Sequence, residues 1–543
     1  MRLRTLALLA ALPLLARAQA PTTTAITAAD LKTRLYILAD DSMLGRQAGT
    51  DGNLKATAYI AAEAKRIGLV PAGDSGGYFQ YIPLVRRSYP QTITLRADTA
   101  PLTSPSDWLP IGARGTPRSL DGARVIYGGV FSDSSTWITA AQAAGRVVLL
   151  APGTRPAGPF FRSIARFASA SGIAIAGLER ASPLLVRALM RPTMSLRAET
   201  GAGIETPQSF LVTTAAAALL LRRPLDSAAS GDTGAVIHGT VPIEQTPLPA
   251  RNVVAVLPGR DAKLRGEYIA IGAHSDHIGL REPPVDHDSL RAYNTAVWEM
   301  RDRTPGTPSP APNQLATIHI NVDSLHRLRP ARPDSVNNGA DDDGSGSAGV
   351  LEIAQAAAGL KPHPKRSLLF VWHTGEELGL LGSRWFTEHP TVPRDSIVAQ
   401  LNIDMIGRGD SADIKGGGPR YLELVGSFRL STELGNTAER VNKARKAPFV
   451  IDYTFDANGH PENIYCRSDH ANYARYGIPV IFFTTGLHED YHQVTDEPQY
   501  IDYRHFAAVS QYIYDVALAV ADQPQRPVVD KPKPADPNAP CRQ

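Results

Sequence analysis

Cysteine is almost absent from this chain: two residues, Cys466 and Cys541, among 543. So few cysteines do not make a disulfide framework, and neither has the spacing of a thiolate metal finger. Cys541 stands in a Pro-rich terminal stretch, and a bridge to Cys466 would need that stretch to fold back. The reading therefore favours two separate thiols. An excess of one charge is lacking as well. The formal net charge is +3 with 20% charged residues, and no basic run is interleaved with aromatics, which argues against nucleic acid as a partner. Long apolar runs are missing beyond the first twenty residues, so no stable membrane insertion is expected. What remains, at 43% hydrophobic residues, is a globular composition in a chain too long for one simple domain.

The first twenty residues carry the apolar exception. Arg2 and Arg4 precede the apolar stretch 6–16, and two small-x-small patterns end at Ala18 and Ala20. Charge, a short apolar run and small residues in that order read as an export signal. Cleavage after Ala18 is preferred, because cutting after Ala20 would leave Pro21 first. The mature chain is expected in the periplasm or the medium.

Three textures follow. Residues 26–85 show apolar residues at helical spacing, around a Gly-rich break at Gly45-Arg46 and Gly49-Thr50-Asp51-Gly52. From about 100 to 240, short apolar strands are punctuated by Gly and Pro, and none leads into a His/Asp/Glu cluster. This segment reads as a small β-rich domain with no chemistry of its own. From 251 onward, continuous apolar runs of strand length (252–257, 268–273, 367–372, 398–403, 421–425 and 479–483) alternate with helical patterns such as 347–360. Continuous runs are expected of strands covered on both faces. The fold class is therefore α/β, with a mixed, mostly parallel central sheet flanked by helices. Residues 281–335, with Pro305, Pro308, Pro310 and Pro312, interrupt the pattern and read either as a cover over the site mouth or as a surface excursion. Residues 522–543 read as a disordered Pro-rich tail.

The chemistry is in the last texture. His274, Asp342, Glu377, Asp404 and His492 each stand where a strand or Gly-rich turn ends. In an open α/β sheet the ligand crevice lies beyond the carboxyl ends of the strands. In Ala273-His274-Ser275-Asp276, one ring nitrogen of His274 is free for a metal, and Asp276 is near enough to accept from the other and fix the tautomer. In Asp341-Asp342-Asp343, flanked by glycines before a helix, one carboxylate is presented by a tight turn. The spacing does not fit an EF-hand loop. In Glu376-Glu377 on a turn, adjacent acids can face different tasks, one holding metal and one taking a proton. Asp404 closes an apolar strand, where a semi-buried carboxylate needs a partner. Tyr491-His492 completes the set, with Asp496 as a candidate partner for that histidine.

The order His-x-Asp, Asp, Glu-Glu, Asp, His resembles the co-catalytic di-zinc exopeptidases related to the secreted bacterial aminopeptidases, the glutamate carboxypeptidases and the transferrin receptor. The resemblance extends over most of the chain, including Met43-Leu44-Gly45-Arg46. It implies a catalytic domain formed by 21–99 and 241–521, with a protease-associated domain inserted at 100–240 and able to make protein contacts. It implies two Zn2+ ions, one held by His274 and Asp404, the other by Glu377 and His492, with Asp342 bridging. Glu376 would be the general base, Tyr491 would stabilise the oxyanion, and Arg467 in Arg467-Ser468-Asp469-His470 would touch substrate. Peptides are the implied substrates. Aminopeptidase activity is favoured because acids dominate the site, with carboxypeptidase or dipeptidase as the alternative. A receptor that only binds is disfavoured by the full ligand set, and the one-zinc glutaminyl cyclases are disfavoured likewise. The 281–335 stretch departs from the short link that the family usually has before the bridging acid.

Overall fold

The computed structural model describes residues 22–111, 116–153, 164–197, 205–300, 310–414 and 416–543. The export signal read in residues 1–20 lies outside them, as do Pro305 and Pro308. The chain divides into two compact units, one built from 1–47, 51–80 and 252–543, the other from 48–50 and 81–251.

In the first unit the helices α1 (Ala28–Leu38) and α2 (Asp51–Ile67) come first. Thr27 caps α1, its hydroxyl accepting from the Asp30 N–H at 3.0 Å, the expected way to satisfy a free amide at a helix start. The strands β1 (Arg251–Leu257), β2 (Tyr268–His274), β3 (Ser367–His373), β4 (Ile397–Ile403), β5 (Tyr421–Val425) and β6 (Val480–Thr484) form the body of a nine-stranded sheet. Their order across the sheet is β1-β3-β2-β4-β6-β5. The neighbours β3, β2, β4 and β6 run parallel, whereas β1 and β5 are antiparallel to β3 and β6. The continuous apolar runs have their physical reason here: β3 and β4 are buried along their whole length, and β3 sets one face against each of two apolar clusters. Among the helices, α3 (His287–Met300) lies in the 281–335 stretch, α4 (Gly346–Gly359) follows the acidic turn, and α5 (Tyr503–Asp522) comes after the last strand. Helix α4 is apolar around most of its circumference and almost wholly buried. Helix α5 instead turns Phe506, Val509, Ile513, Val516 and Val520 inward at helical spacing.

The second unit also has a mixed sheet. Its centre is four parallel strands, Arg124–Val130, Val147–Ala151, Gly172–Ala176 and Gln208–Val212. Val125, Val147, Leu149, Ala174 and Phe210 form its core. Among the described residues, no grouping able to hold a metal lies in it.

The structure departs from the sequence expectation in three places. The helical texture assigned to 26–85 gives way after residue 69 to short strands at Val70–Pro71, Phe79–Tyr81 and Leu84–Ser88. The second unit starts at 81 rather than 100, because Leu84–Ser88 pairs with Thr193–Leu196 and Glu244–Pro247, and Ile93–Ala97 with Thr233–His238. The terminal stretch is irregular but is held down. Thr432 donates its amide to Asp530 at 2.9 Å, Arg526 pairs with Glu267 at 2.7 Å, and Cys541 is bonded to Cys466. The stretch does fold back: Gly459 N–H donates to the Gln543 carbonyl at 3.2 Å, and Tyr465 N–H to the Gln543 side-chain oxygen at 3.0 Å. Among the described residues, no helix is long and apolar enough to cross a membrane.

The bridge sets an expectation for the isolated protein. Thiol titration under denaturing, non-reducing conditions should find no free thiol, and two after reduction. Two free thiols before reduction would refute the closed tail.

Candidate metal centre

Because β2, β3, β4 and β6 are parallel, their carboxyl ends fall on one edge of the sheet. His274 ends β2, Glu376 and Glu377 follow β3, Asp404 follows β4, and the loop with Tyr491 and His492 follows β6. Asp342 reaches the same edge from the turn before α4. One carboxylate joins two nests of donors. Its Oδ1 lies 3.0 Å from His274 Nε2, which is itself 3.8 Å from Asp404 Oδ1. Its Oδ2 lies 3.1 Å from His492 Nε2, which is 3.0 Å from Glu377 Oε2. The nitrogens involved are buried and lack an aligned hydrogen-bond partner. Ligands about 2.0–2.1 Å from one tetrahedral ion stand roughly 3.3 Å apart. The observed spacings scatter about that value, so the donor sets fit two metal ions.

The electrostatics agree. Burial alone would raise the Asp342 carboxyl, but the two histidines hold it well below the usual carboxylate range. Burial and Asp342 act to raise Glu377, yet His277 and His492 bring it below its ordinary value. His492 is pushed up to about 10, the two carboxylates outweighing its burial. The nests are therefore anionic and call for positive charge.

Glu376 plays a different part. It lies between the nests and a cleft, with Oε2 4.0 Å from His274 Nε2. Its backbone N–H donates to Asp276 Oδ1 at 3.2 Å. Burial pushes its carboxyl well above the usual range; His274 opposes this, and Glu377, Asp404 and Asp469 add to it. The cleft is lined by Asp342, Glu376, Asp404, Arg467 and Tyr491, together with the apolar Met405, Phe455, Ile464, Phe482 and Leu487. The Tyr491 ring stacks on His492 with centroids 3.8 Å apart. Arg467 is half-exposed and pairs with Glu462 at 2.9 Å.

The acidic run divides its labour. Asp343 holds no place in either nest. Its Oδ2 accepts from the His274 N–H at 3.0 Å, and its Oδ1 from Gly346 at 2.8 Å and Met405 at 3.3 Å. It thus ties the first histidine, the start of α4 and the residue after Asp404 to one carboxylate. Asp341 accepts from Gly407 N–H at 2.6 Å and faces His488 Nε2 at 3.3 Å. Behind this turn the fully buried Arg46 donates to the carbonyls of Leu38, Asn338 and Gly339 at 2.8, 2.6 and 2.8 Å. Ser468 donates to Asp404 Oδ2 at 2.7 Å and takes a bond from Asn402 at 2.8 Å. Met405 and His492 hold left-handed backbone at φ 60° and 58°, a conformation that persists only where the surroundings enforce it.

Two predicted partners differ in detail. His274 Nδ1 meets the carbonyl of Asp276 at 3.0 Å, while the Asp276 carboxylate stands off at 3.6 Å. The residue still orients the ring, chiefly through its backbone. Asp496 does not serve His492. It accepts from the amides of Asp341 and Asp342 at 3.0 to 3.1 Å and so holds the bridging turn. The sequence reading missed His277, whose Nδ1 is 2.9 Å from Glu377 Oε1. The second histidine of His274-Ser275-Asp276-His277 was the available signal.

Residues 252–517 match the model described as Peptidase family M28. The chain is 34% identical over 150 residues to leupeptin-inactivating enzyme 1 of Streptomyces exfoliatus, covering 27% of this chain and 30% of that protein. It is 33% identical over 211 residues to a probable leucine aminopeptidase of Trichophyton verrucosum, covering 36% and 53%. The chain thus spans about half or less of the length of these curated relatives. An aminopeptidase from Aneurinibacillus sp. strain AM-1 matches in structure at 17% identity with a TM-score of 0.48, over 93% of this chain and 96% of that one.

Replacing the tie among the ligand segments tests how the centre is held. Asp343→Ala leaves three buried amides without their acceptor, at roughly 1–3 kcal/mol each. Chemical denaturation should show a loss of several kcal/mol. An unchanged midpoint would mean that Asp343 does not hold these segments together.

Proposed function

We propose, from the premise that residues 252–517 belong to Peptidase family M28, that this chain is an exported di-zinc exopeptidase releasing single residues from the free N-terminus of peptides. The observation that carries the reading is the pair of donor nests joined through Asp342, with Glu376 beside them. Zinc suits the donor chemistry, since imidazole and carboxylate without thiolate match a borderline ion. His274, Asp342 and Asp404 would hold one ion, and Asp342, Glu377 and His492 the other.

Ions held there would supply Lewis acidity, lowering the pKa of a water and polarising the scissile carbonyl. Glu376 takes a proton from that water at a carboxylate oxygen and passes it to the leaving amine. Cations in the nests would offset the burial that raises its carboxyl and leave it able to accept that proton. The Tyr491 hydroxyl donates to the developing oxyanion. Asp276 keeps the His274 ring in the tautomer that leaves Nε2 free.

The end of the peptide that is cut follows from charge. A free α-amine is a cation, and Asp342, Glu376 and Asp404 line the cleft. A terminal carboxylate would need cations. Arg467, the basic residue of the lining, is turned toward Glu462. The apolar lining of Met405, Phe455, Ile464, Phe482 and Leu487 favours an apolar first side chain, in line with the name carried by the fungal relative. Carboxypeptidase or dipeptidase activity is the second reading, resting on Arg467. The 81–251 unit is taken as a protease-associated domain that offers a surface for protein contacts, and the chain as periplasmic or extracellular.

Peptides with free and N-acetylated termini, assayed with and without a chelator, test the reading. Chelator-sensitive release of apolar first residues from free termini alone is expected. Trimming from the carboxyl end, or of blocked peptides, would overturn it. Glu376→Gln should retain both metals and lose kcat by a factor on the order of 10² or more. Near-normal turnover by the metal-loaded variant would remove Glu376 from its role.

A further inference from the structure

We propose that His277 is a third histidine of the metal centre, a direct ligand through Nδ1 to the ion held by Asp342, Glu377 and His492. The inference rests on the two-metal reading above and goes beyond its five ligands. The His277 side chain is fully buried. Its Nδ1 lies 2.9 Å from Glu377 Oε1 and 3.7 Å from Asp342 Oδ2, the same oxygen that His492 Nε2 meets at 3.1 Å. Four donor atoms from four residues thus lie within 4.8 Å of one another. A hydrogen bond to Glu377 would explain the first distance only, and Nδ1 is not aligned for one. Convergence of a ring nitrogen and two carboxylates on one point explains all of it.

The fold holds the ring at that point. His277 N–H donates to the Arg46 carbonyl at 3.3 Å, and Gln47 and His277 form a parallel bridge. Gly339 backs the ring so closely that a Cβ there would stand 2.5 Å from His277 Cγ. The His277 and His492 rings meet edge to face with centroids 5.5 Å apart, as two imidazoles on one ion can.

The consequence is an asymmetric centre. The nest of His277, Asp342, Glu377 and His492 has four protein ligands and approaches a closed site. The nest of His274, Asp342 and Asp404 has three and keeps a position open. Glu376 stands beside this open nest, at 4.0 Å from His274 Nε2. Water and substrate would therefore be taken on the His274 side, and the first metal equivalent would fill the His277 side.

Proton NMR of the cobalt(II)-loaded protein counts the histidines bonded to metal, because each gives a strongly shifted, exchangeable imidazole N–H resonance. Three such resonances are expected at two equivalents, and two, from His277 and His492, at one equivalent. His277→Ala should remove one of the three and weaken the first equivalent by at least tenfold in a competition titration. Two resonances in the unaltered protein at two equivalents would overturn the proposal and leave the two-metal centre intact. No shifted resonance in protein mixed with two equivalents would overturn the two-metal reading itself. The count in the unaltered protein decides the matter even if His277→Ala does not fold.

Discussion

The structure depends on bringing carboxylates together where they repel one another. Asp276, Asp342, Asp343, Glu376, Glu377, Asp404 and Asp469 stand within one largely buried region at the edge of a parallel sheet. Taking a carboxylate out of water costs several kcal/mol even after relaxation, and a neighbouring carboxylate adds to that cost. The surrounding structure offsets it by distinct means. Asp343 and Asp496 receive backbone amides. Asp342 and Glu377 face histidines and open toward space that suits a cation. Glu376 and Asp469 receive neither in full, and burial pushes them, like Asp343 and Asp496, toward the neutral acid, Asp469 to about 7. The same crowding that penalises folding thus leaves some of these acids tied to amides, some facing histidines and some with neither.

That sorting explains why three adjacent acids are needed before α4. One carboxylate could bridge two ions, but a turn carrying only that carboxylate would have nothing to fix it against the pull of both nests. Asp341 and Asp343, on either side, bind it to the β4 exit and to β2. Asp496 and Arg46 saturate the backbone of the turn from opposite chemical directions, one accepting from amides and the other donating to carbonyls. Arg46 brings its charge into the core because carbonyl oxygens, and the field of the nearby acids, replace its water. The Met43-Leu44-Gly45-Arg46 segment therefore braces the bridging turn and the His277 backbone.

The strands of the first unit were legible because parallel strands buried on both faces must be continuously apolar, and little else in a sequence is. The residues that converge beyond the strand ends were legible because acids and histidines closing such strands have few other reasons to be there. What could not be read depends on pairing between distant segments. The boundary at residue 81 is drawn by strands that pair more than a hundred positions away. The Cys466–Cys541 bridge depends on a Pro-rich stretch lying along the body of the unit, which its composition does not announce. His277 was masked by its own neighbourhood, since the histidine three positions before it already satisfied the motif. Asp496 lies four positions from His492, yet the turn carries it to the far side of the bridging acid.

The described residues of the 281–335 stretch hold the loop that follows β6. From α3, Asn294 donates to Asp490 Oδ1 and to Thr495, both at 3.1 Å, and Arg291 pairs with Asp490. His287 and Arg332 reach Glu497 at 2.8 and 3.4 Å. These partners flank Tyr491 and His492 on the loop after β6. The loop that holds His492 in left-handed backbone is tied first by its own residues, Thr495 donating to Asp490 Oδ1 at 2.7 Å and Gln493 N–H to the Asp490 carbonyl at 2.9 Å. The 281–335 stretch adds polar contacts from outside that would be costly to leave unmade. Among its described residues, the stretch thus braces the loop that carries Tyr491 and His492.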